Sequence, residues 1–287
     1  MRGIISRFAP APTGFLHLGH VVNAAHVWRE TRARAGRVLL RIEDHDRRRS
    51  QPGFEAAILE DLEWLGFVAD EPPVRQSERG EIYEEALANL RRRGLVYACG
   101  CSRIDVAQAL KGTDVARAFQ ARDRGGPERA ALHTELRYPG TCANRGLAER
   151  PGVGLRVRLA PTVERFVDLR HGPQVQRPSE QCGDLLVRDR DGNWTYQFAA
   201  TVDDLVQGVT LVIRGDDLLA STGRQIQLAR LLGRDEPPEF LHHALIMKSP
   251  DQKLSKSDGD TGIRELRARG WTPRQVIDAA MAASTFG

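Results

Sequence analysis

The sequence predicts an α/β fold built on a parallel sheet, and three observations support this. Within the first 42 residues, an apolar strand from residue 4, a helical pattern over residues 21 to 35 and a second apolar strand over residues 37 to 42 form a βαβ unit. Such units cross over with a right hand. Short β-like runs recur at residues 155 to 159, 164 to 168 and 184 to 188, and a buried strand is predicted over residues 209 to 213. Polar residues follow the first two strands, at the edge where α/β sheets bind ligands.

The remaining helices and turns are predicted from the residues that typically begin or end them. Residues 53 to 66 and 78 to 94 have helical patterns that end at Gly66 and Gly94, and Gly36 is the predicted C-cap of the first helix. Residues 196 to 206 and 221 to 232 predict two more helices, the second capped by Ser221 or Thr222. Asp191-Gly192 predicts a hairpin turn from the strand over 184 to 188 into residues 194 to 198. Residues 240 to 247 are a last apolar segment, and residues 103 to 150 have the weak pattern of an insertion.

Composition narrows the class of protein. The chain has 287 residues, of which 41% are hydrophobic and 28% charged, so it can bury a full core and is not disordered. It contains neither a basic-then-apolar leader nor an apolar run of about 18 residues, which predicts a cytoplasmic protein. The net charge is +4, and arginines cluster at residues 29 to 37, 47 to 49 and 91 to 93. These clusters suit a polyanion or are solvated helix faces, and both interpretations stay open.

The first twenty residues contain the densest motif. Two prolines, Gly14, Gly19, His17 and His20 lie in a short turn between the first strand and the first helix. Glycines allow close approach of the backbone to a ligand, and a helix N-terminus favours an anion. Two histidines three residues apart face one side and can both donate to one charged oxygen. The turn is therefore either a phosphate site or an ordinary structural turn.

Lysine usage marks a second motif near the C-terminus. The chain has only four lysines, and three of them, Lys248, Lys253 and Lys256, lie within nine residues. In a chain that otherwise uses arginine, this bias indicates that compact, mobile point charges are needed there. The alternative is a solvated linker.

The two motifs together resemble those of a known family. His17-Leu18-Gly19-His20 resembles the HIGH motif of class I aminoacyl-tRNA synthetases, and residues 253 to 257 (KLSKS) resemble the KMSKS loop. Four further segments resemble the glutamyl branch: Arg7-Phe8-Ala9-Pro10, Arg41-Ile42-Glu43-Asp44, Tyr196-Gln197 and Ile213-Arg214-Gly215. The resemblance covers residues 7 to about 257 and implies a Rossmann-type, doubly wound parallel sheet.

The length after the second motif refines the resemblance. Only thirty residues follow Ser257, whereas full-length glutamyl enzymes continue into an anticodon-binding domain. The sequence therefore resembles the compact glutamyl-Q tRNA(Asp) synthetases, which lack that domain. The implied organisation has four segments: 1–98, first half of the catalytic domain; 99–183, an inserted zinc-containing acceptor-binding subdomain; 184–235, the second half; and 236–287, the KMSKS-type loop with a short helical C-terminal segment. A monomer is expected.

Activation of a carboxylic acid by ATP needs in-line attack on the α-phosphate, so positioning and charge neutralisation suffice without a protein nucleophile. His17, His20 and the helix start would hold phosphates, and Lys256 would close over the pyrophosphate. Magnesium would accompany ATP. The predicted catalytic residues are His17, His20 and Lys256, and the predicted ATP-binding residues are His17, Gly19, His20, Lys253, Ser255 and Lys256.

The predicted amino-acid site uses charge complementarity to glutamate. Arg7 and Arg214 would bind the side-chain carboxylate, Glu43 the ammonium group, and Tyr196 would add a hydrogen bond. Ordinary ion pairs are the alternative for Arg214 and Glu43. The resemblance adds the segment Phe8, Ala9, Pro10 and Ala11. Position 11 departs from the family, which usually has a serine there, so a hydroxyl contact to the amino acid is lost.

Cysteines predict a metal site. Cys99, Cys101, Tyr138 and Cys142 resemble the zinc ligands of the glutamyl-Q group. Three thiolates leave the zinc tetrahedron incomplete, so a fourth donor is needed, and His133 and Cys182 compete with the unusual Tyr138. The alternative is three buried, inert thiols.

The resemblance implies ATP-dependent formation of glutamyl-adenylate from L-glutamate, followed by transfer of glutamate to the queuosine base of tRNA(Asp). Two alternatives stay open. One is a nucleotidylyltransferase that uses the same His-x-Gly-His turn, although Arg7, Glu43 and Arg214 fit an amino acid better than a phosphate ester. The other is a non-catalytic, synthetase-derived tRNA-binding module.

Overall fold

The computed structural model describes residues 3–45, 50–110, 136–249, 252–253 and 262–284. Among the residues named above, His133, Ser255, Lys256, Ser257 and the arginine cluster over 47 to 49 lie outside these ranges, so what is predicted of them stays a prediction. Within the described part of the chain, no helix is long and apolar enough to cross a membrane.

The strands are short and mostly buried. Their bounds are β1 Ile5–Phe8, β2 Arg37–Ile42, β3 Val74–Arg75, β4 Val96–Cys99, β5 Gly154–Val157, β6 Glu164–Asp168, β7 Gly172–Gln176, β8 Leu185–Arg188, β9 Leu211–Gly215, β10 Glu239–His243, β11 Met247–Ser249 and β12 Gln252–Lys253. Residues on β1, β2 and β9 are buried along almost their whole length, which is typical of a parallel sheet covered on both faces.

Helices connect and cover these strands. Their bounds are α1 Leu18–Arg32, α2 Pro52–Leu65, α3 Gly80–Arg92, α4 Arg103–Ala109, α5 Pro178–Gln181, α6 Tyr196–Val206, α7 Thr222–Leu231, α8 Ile263–Ala268 and α9 Pro273–Ser284. Two 3₁₀ turns, Gln76–Glu78 and Asp216–Ser221, precede α3 and α7.

Two parallel sheets meet at the centre of the molecule. One has the order β1-β2-β3, all parallel, and the other has the order β7-β6-β10-β9, in which only β7 is antiparallel to its neighbour. Thr210 joins them: its amide donates to the Ile5 carbonyl at 2.8 Å, and its hydroxyl accepts from the Ile5 amide at 2.9 Å. The chain thus winds outward on both sides of the β1/β9 junction, and ligands bind beyond the strand ends at such a switch point.

The predicted α/β fold with a parallel sheet is confirmed, and the βαβ unit of β1, α1 and β2 lies where the sequence predicts it. The main core contains residues from β1, α1, β2, α2 and β9, joined by Ile263, Leu266, Val276 and Ala280 from the last two helices. The C-terminal helices therefore close the core beneath the first βαβ unit.

The predicted C-cap at Gly36 is wrong. Helix α1 ends at Arg32, and the left-handed residue after it is Ala35, with φ of 51°. Gly36 is required for space instead, because a Cβ there would lie 2.8 Å from atoms of Ile4. Gly66, at φ of 79°, is the left-handed C-cap that the sequence predicts.

Two smaller predictions also need correction. Ser221 occupies the N-cap position of α7, but its hydroxyl donates to the Leu218 carbonyl and makes no cap hydrogen bond, since a 3₁₀ turn runs directly into the helix. The hairpin at Asp191-Gly192 has a single antiparallel bridge, Arg188 with Trp194, because α6 starts two residues later.

The four-segment division stays a prediction. The structure shows that β6, in the predicted insertion, pairs with β10 from a later segment, so that β6 and β7 belong to the same sheet as β9 and β10. A third sheet, with the order β4-β5-β8, is antiparallel and combines strands from three of the predicted segments.

A buried carboxylate lies between α2 and α8. The Asp61 side chain has no exposed surface, and neither of its oxygens has a hydrogen-bond partner among the described residues. Its nearest cation is Arg264, whose Nε is 4.0 Å away. Burial outweighs this attraction and raises the pKa of Asp61 to about 6.

We expect Asp61→Asn to stabilise the protein at pH 7.5 by about 1–2 kcal/mol, because the fold then no longer buries an ionised carboxylate. A raised pKa in the folded state costs stability once the group ionises, so the gain should shrink as the pH falls from about 6 towards the unfolded value of 3.8. Urea unfolding of the wild type and the variant at pH 7.5 and pH 4 measures this change in the free energy of unfolding. Glu60→Gln, which removes the exposed neighbour paired with Arg264, is the control and should give no gain. A gain that is equal at both pH values would contradict the explanation.

Candidate active site

The turn between β1 and α1 is capped by its own histidines. His17 is the N-cap residue, and its Nδ1 accepts from the Gly19 amide at 3.0 Å. His20 Nδ1 accepts from the His17 amide at 3.1 Å, so the pair forms a capping box. Gly19 is needed because a Cβ there would lie 2.9 Å from the His17 ring.

These hydrogen bonds determine which ring nitrogen carries the proton in each histidine. A nitrogen that accepts a backbone amide carries no proton, so each neutral imidazole holds its proton on Nε2. The two rings are 3.9 Å apart between centroids. The prediction that His17 and His20 face one side is confirmed, and each can donate from Nε2.

The C-terminal segment is attached to the same turn. The Leu16 carbonyl accepts from the Ile263 amide at 3.0 Å, and Gly262 forms a β-bridge with His17. Lys253 lies in β12, which pairs with β11 in an antiparallel hairpin. Gly262 and Ile263, which follow the KMSKS-like residues in the sequence, therefore contact the HIGH-like turn.

A buried charge network lies at the ends of β1 and β2. Asp204 Oδ1, at the end of α6, accepts from Arg7 Nε at 2.9 Å and from Arg41 Nη1 at 2.7 Å. Arg41 has no exposed side-chain surface, and its Nη2 lies 3.3 Å from Glu43 Oε1. Arg7 also donates to the Ile213 carbonyl on β9 at 3.3 Å. The network therefore joins both sides of the sheet junction.

Asp203 extends the network towards α3. Its carboxylate accepts from Arg79 Nε at 2.6 Å, from the Tyr83 hydroxyl at 2.9 Å and from Gln76 Nε2 at 2.7 Å. The Gln76 carbonyl oxygen lies 2.5 Å from His45 Nδ1. Because an amide oxygen only accepts, His45 must donate from Nδ1.

In this network, the pKa values of Asp204 and Glu43 are shifted in opposite directions. Burial by itself would raise the pKa of Asp204, but Arg7 and Arg41 outweigh it and lower the pKa to about 2. For Glu43, burial is the larger effect and raises its pKa despite the nearby Arg41. A cationic partner would offset this burial cost, which is consistent with the predicted ammonium contact of Glu43.

Arg214, at the end of β9, is surrounded by neutral groups. Its guanidinium donates to His242 Nε2 at 2.9 Å, to Gln225 Oε1 at 2.6 Å and to Thr222 Oγ1 at 2.8 Å. Among the described residues, no carboxylate oxygen lies within 4 Å of it. The ordinary ion pair considered as the alternative is therefore absent for Arg214 among the described residues, whereas Glu43 does form one, with Arg41. Burial lowers the pKa of Arg214.

Tyr196 connects Arg214 to the charge network. Burial, followed by the nearby Glu43 charge, raises the pKa of the Tyr196 phenol, while Arg214 and Arg7 act in the opposite direction. The phenol is thus close enough to Glu43, Arg7 and Arg214 to sense all three charges. Arg7, Glu43 and Arg214 also lie at the ends of the adjacent strands β1, β2 and β9, so the four predicted side chains lie near the sheet junction.

The segment after Arg7 contributes mainly backbone. Phe8 is buried in the core, where its ring packs edge-on against Trp28 at 5.8 Å. Ala9 and Pro10 continue the chain across the strand ends, and the Pro10 carbonyl accepts from the Glu43 amide at 3.0 Å. The Ala11 carbonyl accepts from the Thr13 amide at 2.8 Å in a tight turn. The Phe8 side chain is therefore part of the core and does not face a ligand.

Three cysteines cluster at the end of β4. The sulfur atoms of Cys99, Cys101 and Cys142 all lie within 4.8 Å of one another. The Tyr138 hydroxyl is 3.4 Å from Cys99 Sγ and accepts from the Cys142 amide at 2.8 Å. Cys182 is not in the cluster and donates to the carbonyls of Pro178 and Gly183. The arrangement therefore favours Tyr138 over Cys182 as a fourth donor.

Several polar residues of this region were not predicted as site residues from the sequence. Their signals were weak: Arg41 lies within an otherwise apolar strand, and Asp203 and Asp204 lie on a buried helical face. In the sequence, Asp168 is the last residue of an ordinary predicted strand, and His242 lies in an apolar segment. Each is polar at a position whose neighbours are buried, and that pattern could have identified them: Arg41, Asp168, Asp203, Asp204 and His242.

Comparisons with known proteins show the family to which the chain belongs. A family model described as "tRNA synthetases class I (E and Q), catalytic domain" matches residues 3–282. The chain is 44% identical over 260 residues to a glutamyl-Q tRNA(Asp) synthetase of Burkholderia mallei, covering 90% of this chain and 82% of that protein. A protein of the same name from Ralstonia nicotianae is 44% identical over 261 residues, covering 90% and 78%. The chain belongs to the glutamyl-Q tRNA(Asp) synthetase family.

A solved structure supports the class I catalytic fold. The crystal structure of glutamate-tRNA synthetase from Elizabethkingia anophelis superposes with a TM-score of 0.76 at 27% identity. The match covers 97% of this chain and 61% of that one. The resemblance drawn from the HIGH-like and KMSKS-like motifs is thereby confirmed for this glutamyl-Q tRNA(Asp) synthetase family member.

We expect Asp204→Asn to destabilise the protein by about 3 kcal/mol at pH 7, because it leaves Arg7 and Arg41 buried without their shared carboxylate. Since the folded pKa of about 2 lies below the unfolded value of 3.8, the stabilisation is present above pH 4 and is lost as the pH falls towards 2. Urea unfolding between pH 7 and pH 3 measures it. Asp278→Asn removes a carboxylate from an exposed pair with Arg274, so it should change the free energy of unfolding little. An equally small change at Asp204 would show that the network is not stabilising.

Proposed function

We propose that this protein activates L-glutamate with ATP to form glutamyl-adenylate and transfers the glutamate to the queuosine base of tRNA(Asp). The observation that carries the proposal is the buried, positively charged Arg214, which has only neutral partners among the described residues and lies with Tyr196, Arg7 and Glu43 at the sheet junction. A buried guanidinium of this kind requires an anion to offset its charge. Membership of the family supports glutamate as that anion.

Glutamate fits the site by charge. Its side-chain carboxylate would bind Arg214, with Tyr196 as a further donor, and its ammonium group would face Glu43. Gln225 supports this placement, since its amide nitrogen is buried without a hydrogen-bond partner among the described residues while its oxygen accepts from Arg214. Arg7 is held by Asp204 and Ile213, so its proposed part is to add positive charge beside the carboxylate.

ATP would bind at the HIGH-like turn, where His17 and His20 can donate from Nε2 to phosphate oxygens. An α-carboxylate oxygen of glutamate attacks the α-phosphorus of ATP, and pyrophosphate leaves. A queuosine hydroxyl then attacks the carbonyl carbon of the adenylate, and AMP leaves as the ester forms. Lys253 and Lys256 would neutralise charge on the pyrophosphate, and Ser255 would bind ATP beside them. Magnesium enters bound to ATP.

Family membership decides between the alternatives that the sequence left open. A nucleotidylyltransferase would transfer AMP to a phosphate, and the matching family is instead that of glutamyl and glutaminyl class I synthetases. A non-catalytic module would have no need for a charged amino-acid pocket beside a phosphate turn.

We also propose that Cys99, Cys101, Cys142 and Tyr138 bind one structural zinc ion. Three thiols within 4.8 Å match the soft ligands that zinc prefers, and the Tyr138 hydroxyl lies at their edge. The cluster joins β4 to residues 136–142 and is remote in sequence from the amino-acid pocket, so zinc would fix this part of the chain rather than take part in activation.

Pyrophosphate exchange tests the activation step. We expect glutamate-dependent exchange between labelled pyrophosphate and ATP without tRNA, and its loss by at least about 100-fold in Lys256→Ala, which removes charge stabilisation in the transition state. Thermal unfolding of the variant should match wild type. Absence of exchange in the wild type, in the presence of magnesium, would reject the ligase.

The acceptor is tested separately with labelled glutamate. Transfer to tRNA(Asp) that carries queuosine, and no transfer to the same tRNA without it, is the expected result. Charging of tRNA(Glu) at its 3′ end with equal efficiency would reject the queuosine assignment while leaving glutamate activation intact.

The zinc proposal is tested by metal content. We expect about one zinc per chain, a reduced content in Cys142→Ser, and a lower melting temperature after removal with a chelator. Cys182→Ser, which alters a buried thiol outside the cluster, is the matched control and should keep its zinc. Pyrophosphate exchange should survive zinc removal at temperatures where the protein stays folded. Full zinc content in Cys142→Ser would exclude this site.

A further inference from the structure

A buried chain of hydrogen bonds runs from Asp168 through His242 to Arg214. Asp168 Oδ2 lies 2.6 Å from His242 Nδ1, and His242 Nε2 lies 2.9 Å from Arg214 Nε. The exposed fractions of the three residues are 1%, 0% and 3%. The three residues come from the ends of β6, β10 and β9, which are neighbours in the sheet.

The direction of these bonds follows from the chemistry of the groups. A guanidinium only donates, so His242 Nε2 must accept, and the single ring proton then lies on Nδ1 and is donated to Asp168. His242 is therefore neutral. Its surroundings agree, because burial, followed by the nearby Arg214, lowers the pKa of His242 to about 4.

Asp168 is itself fixed from several directions. Its Oδ1 accepts from the amides of Arg170 and His171, each at 3.0 Å, and its Oδ2 also accepts from the His242 amide at 3.1 Å. With four donors on its two oxygens, the carboxylate is rigid. It orients the His242 ring in turn.

The neutral ring has an electrostatic consequence for Arg214. A carboxylate in direct contact with the guanidinium would neutralise it, whereas His242 fixes Arg214 through Nε without contributing a negative charge. The other described partners, Gln225, Thr222 and the Leu218 carbonyl, are also neutral. Arg214 is thus held rigidly and keeps its full charge for a ligand.

We propose that Asp168 and His242 are positioning residues that set the affinity for the glutamate side-chain carboxylate by fixing Arg214. The inference rests on the proposed function, in which Arg214 binds that carboxylate. It also accounts for selectivity, since the uncompensated charge favours a carboxylate over the neutral amide of glutamine.

Two substitutions of His242 separate its hydrogen bond to Asp168 from its hydrogen bond to Arg214. In His242→Asn, the amide nitrogen can replace Nδ1 and donate to Asp168, but nothing reaches Arg214. In His242→Gln, the longer side chain can place its carbonyl oxygen near the position of Nε2 and accept from Arg214. His243→Asn is the matched control, because this equally buried neighbour faces Asn23 and stacks on His26 instead.

The readouts are the KM values for glutamate and ATP in pyrophosphate exchange, and the glutamate Kd from calorimetry without ATP. We expect His242→Asn to raise the glutamate KM and Kd about tenfold or more, with kcat and the ATP KM within about threefold of wild type. His242→Gln should recover most of the glutamate affinity, and His243→Asn should retain it.

The outcomes distinguish this inference from the proposed function. Unchanged glutamate KM and Kd in His242→Asn would overturn the positioning role. Equal losses for glutamate and ATP, identical in the Asn and Gln variants, would show a purely structural role and would also overturn it. Wild-type protein that binds glutamate without exchanging pyrophosphate would reject the proposed function, and the calorimetric Kd values would still decide the positioning role.

Discussion

The structure of the site depends on one buried carboxylate, Asp204. It accepts from Arg7 on the first strand and from Arg41 on the second, and it lies on a helix that enters the core from the far half of the chain. Carboxylates near a helix C-terminus are unfavourable unless cations compensate them. The two arginines provide that compensation, so the helix and both strand ends form a single electrostatic unit.

This unit leaves a charge pattern suited to an amino acid. Arg7 and Arg41 are paired with acids, whereas Arg214 across the sheet junction is held by neutral groups. Glu43, whose pKa burial raises, is near enough to Tyr196 for its charge to raise the pKa of that phenol. Positively and negatively charged side chains are thus grouped at the sheet junction, as the proposed glutamate site requires. The turn that we propose to bind phosphates is capped by its own histidines and is joined to the C-terminal segment through Gly262.

The strength of each sequence prediction depended on how local its signal was. The βαβ unit, the helix over residues 196 to 206 and the left-handed Gly66 arise from patterns within a few residues, and the structure contains them as predicted. Gly36 failed because its requirement is steric and comes from Ile4, on another strand. The cap at Ser221 failed because a 3₁₀ turn precedes the helix, which no local propensity specifies.

The sequence by itself determined the residue types of the site: two histidines in a glycine-containing turn, an arginine and a glutamate at strand ends, and three cysteines with a nearby tyrosine. Only the tertiary structure decided their partners. Whether Arg214 meets an acid or a neutral ring depends on residue 242, which a separate strand brings alongside, and the state of that ring depends on Asp168 from a third strand. Hydrogen-bond direction and residual charge are properties of such contacts between distant segments, so they exist only once the sheet has formed.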